Sequence, residues 1–109
     1  MTPIWQHVEY RSGGTCTMSL RGELDLSCVN ELTSLVLAEA DPAGTSAIHV
    51  DLSGVHFIDS SAIGALITGY KAAAATNTAF SVTGAHGQVR RVLVIAGVSW
   101  LADGGTAPM

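Results

Sequence analysis

The stretch Val50-Asp51-Leu52-Ser53-Gly54-Val55-His56-Phe57-Ile58-Asp59-Ser60-Ser61-Ala62-Ile63-Gly64-Ala65-Leu66 changes its hydrophobic period halfway along. From Ala47 to Leu52 the apolar residues Ile48, Val50 and Leu52 alternate, so one face of a strand carries them all. Further on, Ile63, Leu66, Ile67, Tyr70 and Ala74 recur at helical spacing, which predicts an amphipathic helix beginning at the Ser60-Ser61 pair. Val55-His56-Phe57-Ile58 leads from one pattern into the other. A buried strand handed to a helix in this way is the unit from which parallel sheets are built.

Working outward, the same two periods alternate along the chain. Downstream, Ala72 to Ala75 prolongs the helix and Thr76-Asn77-Thr78 ends it. Phe80 to Thr83 reads as a short strand, and Val89, Val92, Leu93 and Ala96 as a third helix stopped by Gly97 at its C′ position. Trp100-Leu101-Ala102 is expected to add a short edge strand before a Gly-Gly-Thr-Ala-Pro tail with little reason to be ordered. Upstream, Val29, Leu32, Val36 and Ala40 mark a helix from Cys28 to Ala40, which Ser27 can cap and Asp41-Pro42-Ala43-Gly44 stops. Thr15 to Leu20 alternates with Cys16, Met18 and Leu20 inward. Ser12-Gly13-Gly14 reverses the chain before it, and Ile4 to Tyr10 forms the first strand, with Ile4, Val8 and Tyr10 on one face and Trp5, His7 and Glu9 on the other. The order β-β-α-β-α-β-α predicts one α/β domain over residues 1–109 with an ordered core of about 4–102. Its mixed sheet has about four to five strands, with about three to four helices on one or both faces.

Composition narrows the function. A chain of 109 residues holds one core and one small functional surface, and with 48% hydrophobic against 13% charged residues it folds by itself. A formal charge of −4 with five Lys plus Arg argues against nucleic acid, and Arg90-Arg91 reads as an exposed helix face. Cys16 and Cys28 form no zinc set or redox pair and are expected reduced and buried; His7, His49, His56 and His86 have no metal spacing. Trp5 and Trp100 are expected to pack at the sheet edge. Met1-Thr2-Pro3-Ile4-Trp5 does not read as a secretion signal. The longest apolar stretch, Val92 to Ala102, is broken by Gly97 and Ser99 and falls short of the ~20 residues of a membrane span, so a cytoplasmic protein is expected. Gly13-Gly14 belongs to a hairpin and Gly54 and Gly64 are isolated, so no phosphate-cradling loop and no cofactor are expected. A serine hydrolase is disfavoured, because Ser53 and Ser60 lack the glycines of a nucleophile elbow and His56, on the incoming strand, is not poised as a base.

Two motifs remain, Arg21-Gly22-Glu23-Leu24-Asp25 after the second strand and the Asp59-Ser60-Ser61 run within the stretch quoted first. Together they resemble the bacterial anti-sigma factor antagonists, or STAS domains, in which a Gly-Glu-Leu-Asp segment leads into the first helix and Asp-Ser-Ser-Gly-Leu-Gly into the second. The resemblance spans nearly the whole chain. It implies a partner-switching regulator of transcription, not an enzyme, that binds an anti-sigma factor serine kinase when unphosphorylated and is released once Ser60 is phosphorylated. A PP2C-type phosphatase would reset it, and a monomer or weak dimer is expected. By the same resemblance Asp25, Asp59, Ser61, Ala62 and Gly64 form the partner-binding surface; Asp25 and Asp59 either help to hold the kinase's basic or magnesium-bearing site or are helix-start carboxylates that the dipole favours. Where the family places Gly after the Ser pair this chain has Ala62, whose methyl is expected to crowd a partner's backbone and make recognition selective. The alternative is a STAS module that acts on no sigma factor, as a scaffold, a sensory-complex subunit or part of a lipid-transport assembly.

The chemistry of the Ser pair can be weighed apart from the family. A hydroxyl in the first turn of a helix either caps free backbone N–H groups or presents its oxygen to a partner. A phosphate on Ser60 would add about −1.5 to −2 charges at a helix N-terminus, where the dipole favours it by roughly 0.3 to 1 kcal/mol. At a binding surface one charge pair at about 4 Å is worth roughly 1 to 4 kcal/mol, or about tenfold to several hundredfold in affinity. Phosphorylation is therefore expected to act on the interface and leave the fold alone.

Overall fold

The computed structural model describes residues 5–40 and 45–101. Four strands, β1 (Trp5–Ser12), β2 (Thr15–Leu24), β3 (Ala47–Ile58) and β4 (Ala79–Thr83), lie in the order β1-β2-β3-β4. The hairpin β1–β2 is antiparallel, whereas β3 runs parallel to both β2 and β4. Three helices, α1 (Val29–Ala40), α2 (Ser60–Ala75) and α3 (Gly87–Ile95), follow β2, β3 and β4 in turn. The α/β class, the mixed sheet and the element order stand as the sequence predicts.

Period-2 alternation places the core on one sheet face. Cys16 is in register with Ile48 and Ile48 with Phe80; Met18 is in register with Val50 and Val50 with Val82, and all six are buried. Against them lie Leu32 and Val36 of α1 and Ala62, Ile63, Leu66 and Ala73 of α2. Gly69 lets the two helices meet, since a Cβ there would stand 2.9 Å from Val36 Cβ and Cγ2 and 3.2 Å from Phe80. On the opposite sheet face Thr17, His49 and Ser81 are only partly buried, and His49 Nδ1 lies 2.7 Å from Ser81 Oγ. Trp100 packs edge-on against Tyr70, and both cysteines are free and buried.

Four expectations are corrected or moved. In β1 the register pairs Val8 with Ser19 and Tyr10 with Thr17, so the apolar pair faces outward, 63% and 67% exposed, while Trp5 is the buried residue. The α1 entry is capped by Asp25 and not Ser27: a 3-10 turn, Leu26–Cys28, precedes the helix, and the Asp25 carboxylate accepts the Ser27 N–H. β3 continues past Leu52 to Ile58 because two extra residues are absorbed where its pairing with β2 shifts, between Ser19 and Arg21 and between Gly22 and Glu23. Alternation is lost there, since the buried residues fall at Leu52, Val55 and Ile58, every third position. Gly54 sits in this segment, where a Cβ would be 2.9 Å from Arg21 Cγ and 3.1 Å from the Leu20 carbonyl oxygen. Last, Ser99–Leu101 is a 3-10 turn with Leu101 buried, not an edge strand. The expected helix stop at 41–44 and the tail from 102 lie outside the described residues.

Candidate functional site

The site grows from a pair of strand ends. Leu24 of β2 and Ile58 of β3 are buried in register, so the residues that follow, Asp25 and Asp59, leave the sheet side by side along its edge. The Asp59 N–H closes the junction by donating to the Leu24 carbonyl at 3.1 Å. Both carboxylates then turn back on the chain as caps, each from an extended backbone, the conformation a capping residue needs.

Asp59 is the N-cap of α2. Its Oδ1 accepts from the Ala62 N–H at 3.0 Å and from the Ser61 hydroxyl. The Ser61 hydroxyl above all, then the backbone N–H groups of Ala62, Ser61 and Leu26, hold the Asp59 carboxyl below its ordinary value of 3.8, against partial burial, which raises it. Leu26 opens the turn that Asp25 caps, so the two loops meet at the Asp59 carboxyl. Beneath them Cys28 is 1% exposed. Burial, with the Asp25 and Asp59 charges adding to it, pushes its thiol up and keeps it protonated and unreactive.

These bonds divide the Ser pair. Ser61 is partly buried and its hydroxyl is spent on the cap. Ser60, the first residue of α2, is exposed, and its hydroxyl takes no part in that cap. One turn further, on the same helix face, Gly64 is exposed and a Cβ added there would meet nothing within 4 Å. Thr68 continues the strip, its hydroxyl donating to the Gly64 carbonyl at 3.0 Å. Ala62 behaves differently from expectation. It is fully buried in the core, packed with Ile63 and Leu66 of the same helix and not open to solvent as Gly64 is.

Two neighbours went unnoticed in the sequence. Leu26, 74% exposed, stands beside the two carboxylates; it lies between a strand and a helix and belongs to neither hydrophobic period. Gln88 of α3 grips Ile58 from the far side: its Nε2 donates to the Ile58 carbonyl at 3.2 Å and its Oε1 accepts the Ile58 N–H at 3.1 Å. No periodicity argument marks a single polar residue in the first turn of a helix as a contact with a strand thirty residues away. Among the described residues no three His, Cys, Asp or Glu side chains gather as a metal site, and no helix is long and apolar enough to cross a membrane. His56, the one histidine close in sequence to Ser60, is exposed.

This geometry can be set beside known proteins. A family model described as "Mlab, STAS domain" matches residues 7–102. The fold is similar to the unphosphorylated form of the anti-sigma factor antagonist SpoIIAA, with a TM-score of 0.79 at 18% identity over 89% of this chain and 85% of that one. SpoIIAA from Bacillus in its phosphorylated form matches with a TM-score of 0.71 at 17% identity, covering 89% of this chain and 88% of that one. An anti-sigma factor antagonist from Mycobacterium paratuberculosis gives 0.75 at 21% identity over 90% and 82% of the two chains. The anion transporter Slc26a9 of mouse contains the fold as well, with a TM-score of 0.71 at 20% identity over 84% of this chain but 15% of that one. Among curated proteins no sequence matches this chain.

Proposed function

Because this chain belongs to the STAS domain family, we propose that it is an anti-sigma factor antagonist of the partner-switching kind, with Ser60 as the switch. In this reading the unphosphorylated protein occupies an anti-sigma factor that is also a serine kinase, in the cytoplasm, and frees a sigma factor. The kinase phosphorylates Ser60 and thereby ends the complex, and a PP2C-type phosphatase restores it. The observation that carries the reading is the division of labour in Asp59-Ser60-Ser61. The cap is completed by Asp59 and Ser61 alone, so Ser60 stands exposed at the helix start with no structural duty in that cap. Its backbone is already folded around an anion-tolerant helix terminus, and it opens onto the strip at Gly64 and Thr68. Asp25, Asp59 and the exposed Leu26 border the same edge, giving a partner an apolar anchor ringed by carboxylates to which basic groups or a bound magnesium ion are complementary. The similarity to SpoIIAA in both its unphosphorylated and its phosphorylated form supports a fold that admits either state.

The second reading is a STAS module that serves a transport or sensory assembly, favoured by the occurrence of this fold within the much longer Slc26a9 anion transporter. The two differ at Ser60. If the chain is a switch, affinity capture with Ser60→Ala recovers the cognate kinase as wild type does, while Ser60→Asp loses it by about tenfold or more. Equal recovery by both variants would show that Ser60 is only a helix-start residue and would favour the second reading.

A further inference from the structure

β4 is shorter than the strand it accompanies. Its pairing with β3 ends at Asp51 opposite Thr83, while β3 runs on to Ile58. Beyond that point the β3 backbone groups on the β4 side have no strand to bond. Side chains from the entry of α3 reach three of them: His86 Nε2 lies 3.0 Å from the Ser53 carbonyl oxygen, and the Gln88 amide accepts the Ile58 N–H and donates to the Ile58 carbonyl. A primary amide bonded at both points reproduces what a peptide group of an adjacent strand would offer. Ile58 is thereby held from both sides of the ribbon, since the next peptide N–H, that of Asp59, donates in the opposite direction to Leu24. The residue so clamped is the last before the cap that orients Ser60.

We infer that Gln88 is a positioning residue for the switch: by pinning Ile58 it fixes the direction in which Asp59 leaves the sheet, and with it the presentation of Ser60. The clamp also ties α3 to the switch loop, because the helix and the loop meet at this residue. The inference deepens the proposed function and rests on it for the word switch, while the clamp itself can be tested without any partner.

The experiment is amide hydrogen exchange followed residue by residue in wild type and in Gln88→Met, which keeps the length and apolar stem of the side chain and removes both bonds. Exchange at Ile58 and Asp59 should quicken by about tenfold or more, with Met18 in β2 and Leu32 in α1 unchanged. Gln88→Glu, which at neutral pH keeps the acceptor and loses the donor, should give a smaller rise at the same two residues. A second readout is the Asp59 carboxyl titration followed by carbon NMR, which should move back toward its ordinary value in Gln88→Met as the cap loosens. Unchanged exchange at Ile58 and Asp59 overturns the inference, as does a uniform quickening across the sheet or failure of both variants to fold, for Gln88 would then serve the fold at large. Absence of phosphate on Ser60 with the exchange result as expected would overturn the function and leave the clamp standing.

Discussion

Asp59 and Ser60 are adjacent, yet their side chains belong to different parts of the molecule. Asp59 is a structural cap whose carboxylate is bonded to Ser61 and Ala62, and Ser60 faces solvent. Replacing Asp59 by Ala should cost about 1 kcal/mol of stability in urea unfolding, the usual value of an N-cap. The carboxyl is held below 3.8 in the folded protein, so its charged form stabilises the fold above the unfolded-state pKa, and that contribution is lost as pH falls through the folded value. The stability gap between wild type and Asp59→Asn should therefore be present at neutral pH and close in acid. A gap independent of pH would show that the hydrogen bonds are not to the ionised group. At this scale the change of hydrophobic period locates the start of α2 at the Ser pair, whereas at α1 it points to Ser27 and only the motif resemblance singles out Asp25. The burial of Ala62 is not legible in the same way. Ala62, Leu66, Gly69 and Ala73 form a buried helical stripe in which only Leu66 is large, and small residues give a weak periodic signal.

Among the elements, α2 offers a contrast between two glycines. At Gly64 an added methyl meets open space, so Gly64→Ala should stabilise the protein by about 0.5 to 1 kcal/mol through helix propensity. At Gly69 the same methyl would press on Val36, whose Cβ is fixed to the α1 backbone. Gly69→Ala should destabilise, the overpacking cost of about 1 to 3 kcal/mol exceeding the propensity gain. Equal shifts in urea midpoint for both would contradict the close α1–α2 approach. The same methyl at Gly64 stands on the strip beside Ser60, so a gain in stability accompanied by a loss of partner capture would link the strip to recognition. Strands were legible where burial is one-sided, as in Thr15 to Leu20 and Ala47 to Leu52. β3 beyond Leu52 was not, because bulges replace alternation there by burial at every third residue. β1 was read as a strand with its apolar residues grouped, but an edge strand gains little from burying either face, and Trp5 alone turns inward. Trp100-Leu101 carried the apolar content of a strand but no length to pair, and it closes the core as a single turn.

Taken whole, the molecule is one sheet with a buried face under α1 and α2 and the proposed switch at the ends of β2 and β3. Placing the switch at this edge, outside the core, means that a phosphate need not disturb the packing. Amide spectra of the protein before and after phosphorylation should therefore coincide except around residues 24–28 and 58–64, and shifts spread through Met18, Val50 and Val82 would show a rearranged core instead. The central claim, that Ser60 is the residue whose phosphorylation governs partner binding, is tested most directly by capturing the native complex with unphosphorylated protein, adding ATP, and mapping the modified residue by mass spectrometry. The account predicts one phosphate, on Ser60, appearing as the partner is released. A phosphate on any other residue, or a complex that keeps its partner with Ser60 fully phosphorylated, would contradict it.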